Sequence, residues 1–478
     1  MGFGPLHSTI VVKMGIRLWA FCPIHNMNKR KGILDMKALV IGFARSGAAA
    51  AHLLNTEGAE VVVSDPKLDL SDPRVTELTE AGVVFTTEQD ESLLEDVDVV
   101  VKNPGIPYHI PILKAAKARE IPIEVEVTRA QAYIKGTWVA LTGSNGKTTA
   151  TKMVARVLEA DADTEHPVKV AGNIGTPVSE LAPDLTENDT LITELSSFQL
   201  MAMPNAQPDI AVITNIFASH LDFHGSREAY IAAKLNITMH QKANQYLVMN
   251  YDRPEWAVMV QETKATIVPF SRLGMTKAGA YQEDGALYFQ GEFIMNADEI
   301  GVPGDHNIEN ALIAIAVGKI RHVANEKIVH ALQTFGGVEH RLQNVGVFNG
   351  RKVFNDSKAT DIEATESALS GFDGNVVLLA GGLDRGDDLT RLIPAMKGKV
   401  KQLIIFGETA PKLLEVAKEM NLPVIETENV KTAVPLAFEN SSEGDVILLS
   451  PAAASWDQYK SFEVRGDMFM DAVKEYAK

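Results

Sequence analysis

The chain has 478 residues, 62 acidic against 45 basic side chains for a formal net charge of −17, and a single cysteine. At ~150 residues per domain the length suggests about three domains, and 46% hydrophobic with 22% charged residues suits a soluble globular protein rather than a disordered one. The acidity argues against a nucleic-acid binder, the lone Cys22 excludes an internal disulfide framework, and no apolar run reaches the ~18 residues of a membrane span.

Residues 1–35 differ from the rest. They hold Lys13, Arg17, Lys29, Arg30 and Lys31 against one acid, Asp35, which leaves −21 on residues 36–478. The apolar stretch 10–24 is interrupted by Lys13 and Arg17 and has no clear cleavage site, which argues against a secretory signal. The segment reads as a disordered extension, with Met27 or Met36 as the usual start.

From Met36 onward, short apolar runs alternate with helical stretches, the pattern of parallel α/β sheets. Strands are predicted at 38–41, 60–63 and 97–101, with a helix from Ser46 to Glu57 stopped by Gly58. A second unit opens at 138–141 and continues through 190–193, 210–214 and 246–249, with hairpins over 278–297. A third carries 376–379, 403–405 and 446–449, and linkers are expected near 126–135 and at Phe335-Gly336-Gly337.

Three glycine-marked turns each follow a strand. The first, GFARSG at 42–47, has Ala44 where a dinucleotide fingerprint needs its middle glycine, and Asp65 ends the next strand. NAD, another phosphate-bearing ligand or a merely structural turn all remain open for it. The second, LTGSNGKTT at 141–149, is the strongest local signal. Gly143 and Gly146 let backbone N–H groups wrap a phosphate, Lys147 reaches outer phosphates, and the Thr148 hydroxyl can ligate Mg²⁺. The third, AGGLDRG at 380–386, is weak alone but can present Arg385 to an anion.

Glu194, at a strand's carboxyl end, suits Mg²⁺, and His220 with Asp222 after the neighbouring strand could serve a second metal or orient a substrate. Lys234, among Ala and Ile, reads as an ordinary solvated lysine, and Asn307 and Asn310 share a helix face that could read an adenine edge or merely cap the helix.

In order along the chain stand TGSNGKTT (142–149), GNIG (172–175), ELSSFQ (194–199), GDHNIEN (304–310), EHR (339–341) and NDSKAT (355–360). With them, residues 36–478 resemble the muramyl peptide ligases, the ATP-dependent amide-forming enzymes of peptidoglycan synthesis. The segments 42–47, 103–106 (NPGI) and 450–469 (SPAAASWDQYKSFEVRGDMF) are similar to the branch that adds D-glutamate to UDP-N-acetylmuramoyl-L-alanine.

The resemblance implies an α/β, three-domain architecture. A Rossmann-like domain over 36–128 would take the UDP substrate, a central P-loop ATPase-like domain over 129–336 the ATP, and a Rossmann-like domain over 337–478 the amino acid, with 1–35 outside. It implies ATP and two Mg²⁺ ions, with Thr148 and Glu194 on the first ion and His220 on the second. Lys234 matches the family lysine that becomes carbamylated, so it changes from solvated to functional. Gly143, Ser144, Asn145, Gly146, Lys147, Thr148, Thr149, Asn307, Asn310, Arg341 and Asp356 would bind ATP. Arg45, Ser46, Asp65, Gly105 and Asn173 would hold the UDP substrate, and Thr360, Arg385, Ser455 and Phe462 the D-glutamate. Lys147, Lys234, Lys358 and His220 would be catalytic, in a cytoplasmic monomer. Readings still open are a related ligase such as folylpolyglutamate synthase, a nucleotide-holding switch, and an NAD dehydrogenase that leaves 142–149 unexplained.

Overall fold

The computed structural model describes residues 36–173, 175–217 and 219–476. The extension expected over 1–35, with Cys22, lies outside them. Residues 36–102 and 108–124 form one compact unit; residues 103–107 and 125–476 form another.

The first unit is a parallel sheet of β1 (Lys37–Ile41), β2 (Glu60–Ser64), β3 (Val84–Thr86), β4 (Val99–Lys102) and β5 (Ile123–Glu124), in the order β3-β2-β1-β4-β5. Helix α1 (Arg45–Thr56) packs on it and stops at Gly58, whose φ of +88° lies in the left-handed region that ends helices. Neighbouring strands β2 and β4 leave β1 on opposite sides, so the turn after β1 sits at the topological switch where such sheets bind ligands. Strand β4 starts at Val99 rather than Val97 because Asp96 turns to φ +57° and the Asp98 carboxylate accepts the Lys37 N–H at 2.9 Å.

The second unit carries two sheets. One contains β6 (Thr137–Thr142), β7 (Val168–Gly172), β8 (Thr190–Glu194), β9 (Ile210–Ile213), β10 (Tyr246–Asn250), β11 (Thr266–Ser271), β12 (Ala280–Glu283), β13 (Ala286–Phe289) and β14 (Glu292–Asn296). Their order is β14-β13-β12-β11-β10-β9-β6-β8-β7, with the expected hairpins over 278–297 antiparallel at one edge. Helix α2 (Lys147–Glu159) buries Ala150, Met153, Val154, Val157 and Leu158, the i, i+3, i+4, i+7, i+8 stripe that makes a helix cover a sheet. Burying each larger one stabilises by ~1.5–3 kcal/mol. Helices α3 (Arg227–Met239) and α4 (Asp305–Ile320) complete the surroundings of the site.

The other sheet contains β15 (Gln343–Phe348), β16 (Arg351–Asn355), β17 (Val376–Gly381), β18 (Val400–Phe406), β19 (Val424–Glu426) and β20 (Val446–Leu449), ordered β15-β16-β20-β17-β18-β19. Only β15 with β16 is antiparallel, and helix α5 (Phe462–Tyr476) follows β20.

Strands β3, β5, β7, β11, β15, β16 and β19 have no counterpart among the predicted ones. β7 is an edge strand with a half-wet sequence, and β11 holds Pro269, a residue that argues against an inner strand. The expected linker at 126–135 is ordered as a helix at Glu126–Ala130 and a 3₁₀ turn at Gln131–Tyr133. Its charged residues suggest exposure, but the Glu126 carboxylate is buried and accepts the Ser179 N–H at 3.0 Å and hydroxyl at 2.8 Å. Among the described residues no helix is long and apolar enough to cross a membrane.

Candidate active site

The carboxyl ends of β6, β8 and β9 meet at the 142–149 loop, the candidate phosphate loop. Gly143 takes φ +153°, and a Cβ there would lie 1.9 Å from the Thr214 hydroxyl; Gly146 takes φ +79°, and a Cβ there would lie 2.9 Å from Asn310 Oδ1. Both glycines are therefore required by backbone conformation and by close approach. The loop is pinned from β9: Asn215 Oδ1 accepts the Asn145 N–H at 2.9 Å, and the Thr214 hydroxyl donates to Asn145 O at 2.6 Å. The Ser144 hydroxyl donates to Phe217 O at 2.9 Å. Helix α2 then begins at Lys147, with Thr148 and Thr149 buried in its first turn.

Three charged side chains close around this loop. Lys147 Nζ donates to Gly143 O at 3.0 Å and Ser144 O at 2.9 Å. Lys234, 1% exposed, donates to Gly143 O at 2.7 Å from the opposite side, with its ammonium 4.9 Å from the Tyr230 ring centre. Burial, then the neighbouring Lys147 charge, pushes the Lys234 amine well below the usual lysine range, with Glu194 opposing. Burial likewise lowers Lys147, again opposed by Glu194. Glu194 is 2% exposed; Oε1 accepts from Asn173 Nδ2 at 3.1 Å, and Oε2 is buried with no hydrogen-bond partner. A buried carboxylate oxygen without a donor is chemically suited to a hard cation.

His220 stands in the left-handed region at φ +51°, its ring 5.0 Å from Phe198. The side chain of Asp222 is outside the described residues. Glu194 and His220 share no three-member group of histidines and acids; among the described residues that arrangement occurs at Glu339, His340 and Asp467.

Helix α4 brings its amides to the same loop. Asn310 faces Gly146 and donates to Asn307 Oδ1 at 3.4 Å, and Asn307 donates to Pro303 O at 2.6 Å. From the turn that precedes β15, Arg341 is near enough to lower Lys147 and Lys358, and burial is the larger cause in both. Asp356 is 5% exposed; Oδ1 accepts the Leu342 N–H at 3.0 Å and Oδ2 the Ser450 hydroxyl at 2.9 Å. Burial raises its carboxyl to about 7 despite those two bonds.

Lys358 and the predicted amino-acid contacts Thr360, Arg385 and Ser455 lie on the loops after β16, β17 and β20, and Phe462 opens α5. Lys358 Nζ lies 5.4 Å from the Phe462 ring centre, Thr360 is half-buried, and Ser455 is buried. Arg385 is exposed and stacks its guanidinium 4.9 Å over Trp456. An antiparallel bridge between Leu383 and Ala454 holds those two loops together.

In the first unit, Asp65 organises the turn after β1: Oδ2 accepts the Phe43 N–H at 2.7 Å and Oδ1 the Lys67 N–H at 2.8 Å. Arg45 and Ser46 open α1, with Arg45 exposed. Gly105 lies exposed in segment 103–107 of the second unit.

Sequence reasoning passed over Tyr230, Trp456 and Arg465. Tyr230 joins its hydroxyl to Ser144 Oγ at 2.8 Å and packs under Lys234. Its only advance signal was the i, i+4 spacing from Lys234, which puts both on one helix face.

Residues 36–125 match the family described as Mur ligase MurD-like, N-terminal domain, residues 141–318 the Mur ligase middle domain, and residues 340–453 the Mur ligase, glutamate ligase domain. The chain is 51% identical over 444 residues to a UDP-N-acetylmuramoylalanine--D-glutamate ligase of Lactiplantibacillus plantarum, covering 92% of this chain and 96% of that one. It is 47% identical over 456 residues to the enzyme of that name from Pediococcus pentosaceus, covering 95% and 100%. In fold it is similar to the UDP-N-acetylmuramate-alanine ligase MurC of Thermotoga maritima, with TM-score 0.58, 19% identity and 92% and 100% coverage. It is also similar to the MurF ligase of Thermotoga maritima solved with ADP, with TM-score 0.54, 17% identity and 94% and 100% coverage.

Proposed function

The chain belongs to the Mur ligase family, and from that membership we infer that it is an ATP-dependent amide ligase. It joins D-glutamate to the alanine carboxylate of UDP-N-acetylmuramoyl-L-alanine through an acyl phosphate, in peptidoglycan precursor synthesis. The observation that carries this reading is the phosphate loop at 142–149 in a chain about half identical, along most of its length, to D-glutamate ligases.

The chemistry requires a leaving group on a carboxylate, which is a poor electrophile. ATP supplies it: the substrate carboxylate takes the γ-phosphoryl group, ADP departs, and the D-glutamate amine then displaces phosphate to form the amide. Several anions converge, so cations decide the rate. In our reading the backbone N–H groups of Gly143–Gly146 and Lys147 hold the ATP phosphates, and Arg341 adds charge from the turn before β15. Asn307 and Asn310 take the nucleotide base, Asp356 the ribose, and Lys358 the charge on the transferring phosphoryl group.

Thr148 and the partnerless Glu194 Oε2 would hold one Mg²⁺ and His220 a second; bound Mg²⁺ neutralises phosphate charge. The Lys234 amine, pushed toward its neutral form, is suited to combine with CO₂ to a carbamate with loss of a proton. That supports, from burial and a neighbouring cation, the expected carbamylation. Arg45, Ser46, Asp65, Gly105 and Asn173 are assigned to the UDP substrate, and Thr360, Arg385, Ser455 and Phe462 to D-glutamate. We place the enzyme in the cytoplasm, where ATP is available, as a monomer, with domains at 36–128, 129–336 and 337–478.

Phosphate release measured with UDP-N-acetylmuramoyl-L-alanine, ATP and a panel of amino acids tests this. Release should require all three co-substrates and favour D-glutamate; equal release with L-glutamate or L-lysine would sink the substrate assignment.

A further inference from the structure

Arg465, in the first turn of α5, is 0% exposed and is the bulkiest of the fully buried side chains. Its hydrogen bonds go to oxygens of neutral groups on three separate chain segments. Nε donates to Ser357 Oγ at 3.1 Å and Nη2 to Ser357 O at 2.9 Å, on the loop after β16. Nη1 donates to Gly381 O at 3.2 Å, at the end of β17, and Nη2 also donates to Ala453 O at 3.0 Å, after β20. The Ser357 hydroxyl in turn donates to Phe462 O at 2.8 Å, closing the circuit onto the start of α5.

Burying a cation costs several kcal/mol before its partners are counted, and a core of similar volume is commonly made with apolar side chains at no loss of stability. Here burial lowers the guanidinium to about 10, with Asp457 opposing, so it remains charged at neutral pH. What a planar fork of five N–H donors does, and an apolar side chain cannot, is fix three chain segments in one plane at set distances. Those segments carry Lys358 and Thr360, Arg385, and Ser455. Order β16-β20-β17 makes them neighbours at the carboxyl ends of these three inner parallel strands.

We propose that Arg465 is a positioning residue for the amino-acid site: it touches no substrate, and it sets the spacing of the three loops that receive the incoming amino acid. This rests on the assignment of those loops to D-glutamate.

The test uses the full chain with Arg465→Met, Arg465→Lys and Ser357→Ala, each measured for KM and kcat in every co-substrate and for thermal midpoint. The amino acid is the one the wild type accepts best in the panel above. Arg465→Met should raise the amino-acid KM at least tenfold and leave the KM for the UDP substrate within twofold. Arg465→Lys keeps the charge but not the fork, so it should resemble Met. Ser357→Ala, which removes one acceptor, should give a two- to fivefold rise and serves if Arg465→Met does not fold. Folded variants with an unchanged amino-acid KM, or full rescue by Lys, would overturn the proposal. Failure of the D-glutamate assignment shows separately, as a wild-type preference for another amino acid.

Discussion

The loops after β6, β8 and β9 and the loops after β16, β20 and β17 occupy equivalent places, the carboxyl edges of parallel strands in the same unit. They are built in opposite ways. The first centres on one turn of consecutive residues: its glycines admit close neighbours, and Lys147 from the turn and Lys234 from α3 both bond the turn's carbonyls. The second is dispersed: single residues from distant loops are gathered by one buried guanidinium, and its outermost pair, Arg385 and Trp456, stays in solvent. The proposed assignments fit that contrast: a phosphate is the same in every ATP, so a fixed backbone cradle would suffice, whereas an amino acid must be told from others, which side chains on separately variable loops would allow.

The largest expected effect breaks the local site. Lys147→Ala should lower kcat on the order of 10³-fold or more in phosphate release, because phosphate charge loses its main side-chain partner; near-normal turnover would refute the phosphate-loop role. Next, Lys234→Ala should fall about 10²-fold, on the scale of lost electrostatic stabilisation, and recover in part with added formate or acetate, which can stand in for a carbamate. No recovery would leave Lys234 as a structural donor to Gly143 O. Glu194→Gln should raise the Mg²⁺ concentration needed for half-maximal activity at least tenfold while leaving the thermal midpoint nearly unchanged.

The dispersed site should respond more gently. Trp456→Ala removes an exposed cation–π contact worth ~0.5–1 kcal/mol, so the D-glutamate KM should rise about two- to fivefold with kcat little changed. An equal rise in the KM for ATP would show that the two sites are less separate than their construction implies.

The smallest effect concerns pH and the seam between them. Asp356 holds a carboxyl at about 7 in the folded chain against an ordinary value of 3.8. The folded state therefore binds the extra proton between those values, and stability falls as pH rises from about 4 to about 7. Asp356→Asn keeps an acceptor for the Leu342 N–H and turns its amide N–H to Ser450 Oγ, whose hydroxyl can donate to Thr365 instead, so it should flatten that slope and melt a few degrees higher than wild type above pH 7. A slope identical to wild type would assign the effect to other groups.

Much of this was legible in advance because it is local. The strand-turn-helix at 138–159, the hairpins over 278–297 and the helix stop at Gly58 depend on neighbouring residues alone, and each is present. Lys234 was harder. Its flanking Ala and Ile fit a solvated lysine, and only the family resemblance raised it to a functional residue. Burial beneath a loop 91 residues earlier in the chain is what changes its chemistry. Glu126 was read as part of a linker for the same reason, since its partner Ser179 is 53 residues away.

The turn at 142–149 could be located from the chain alone, because its two glycines and the helix that follows act among neighbouring residues. Only the tertiary structure decided which charges are buried and what they face. Arg465 is an unremarked arginine in a helix until β16, β17 and β20 align their ends around it. Desolvation and hydrogen-bond partners depend on residues far apart in the chain, and it is those that turn an ordinary Lys, Glu or Arg into part of a site.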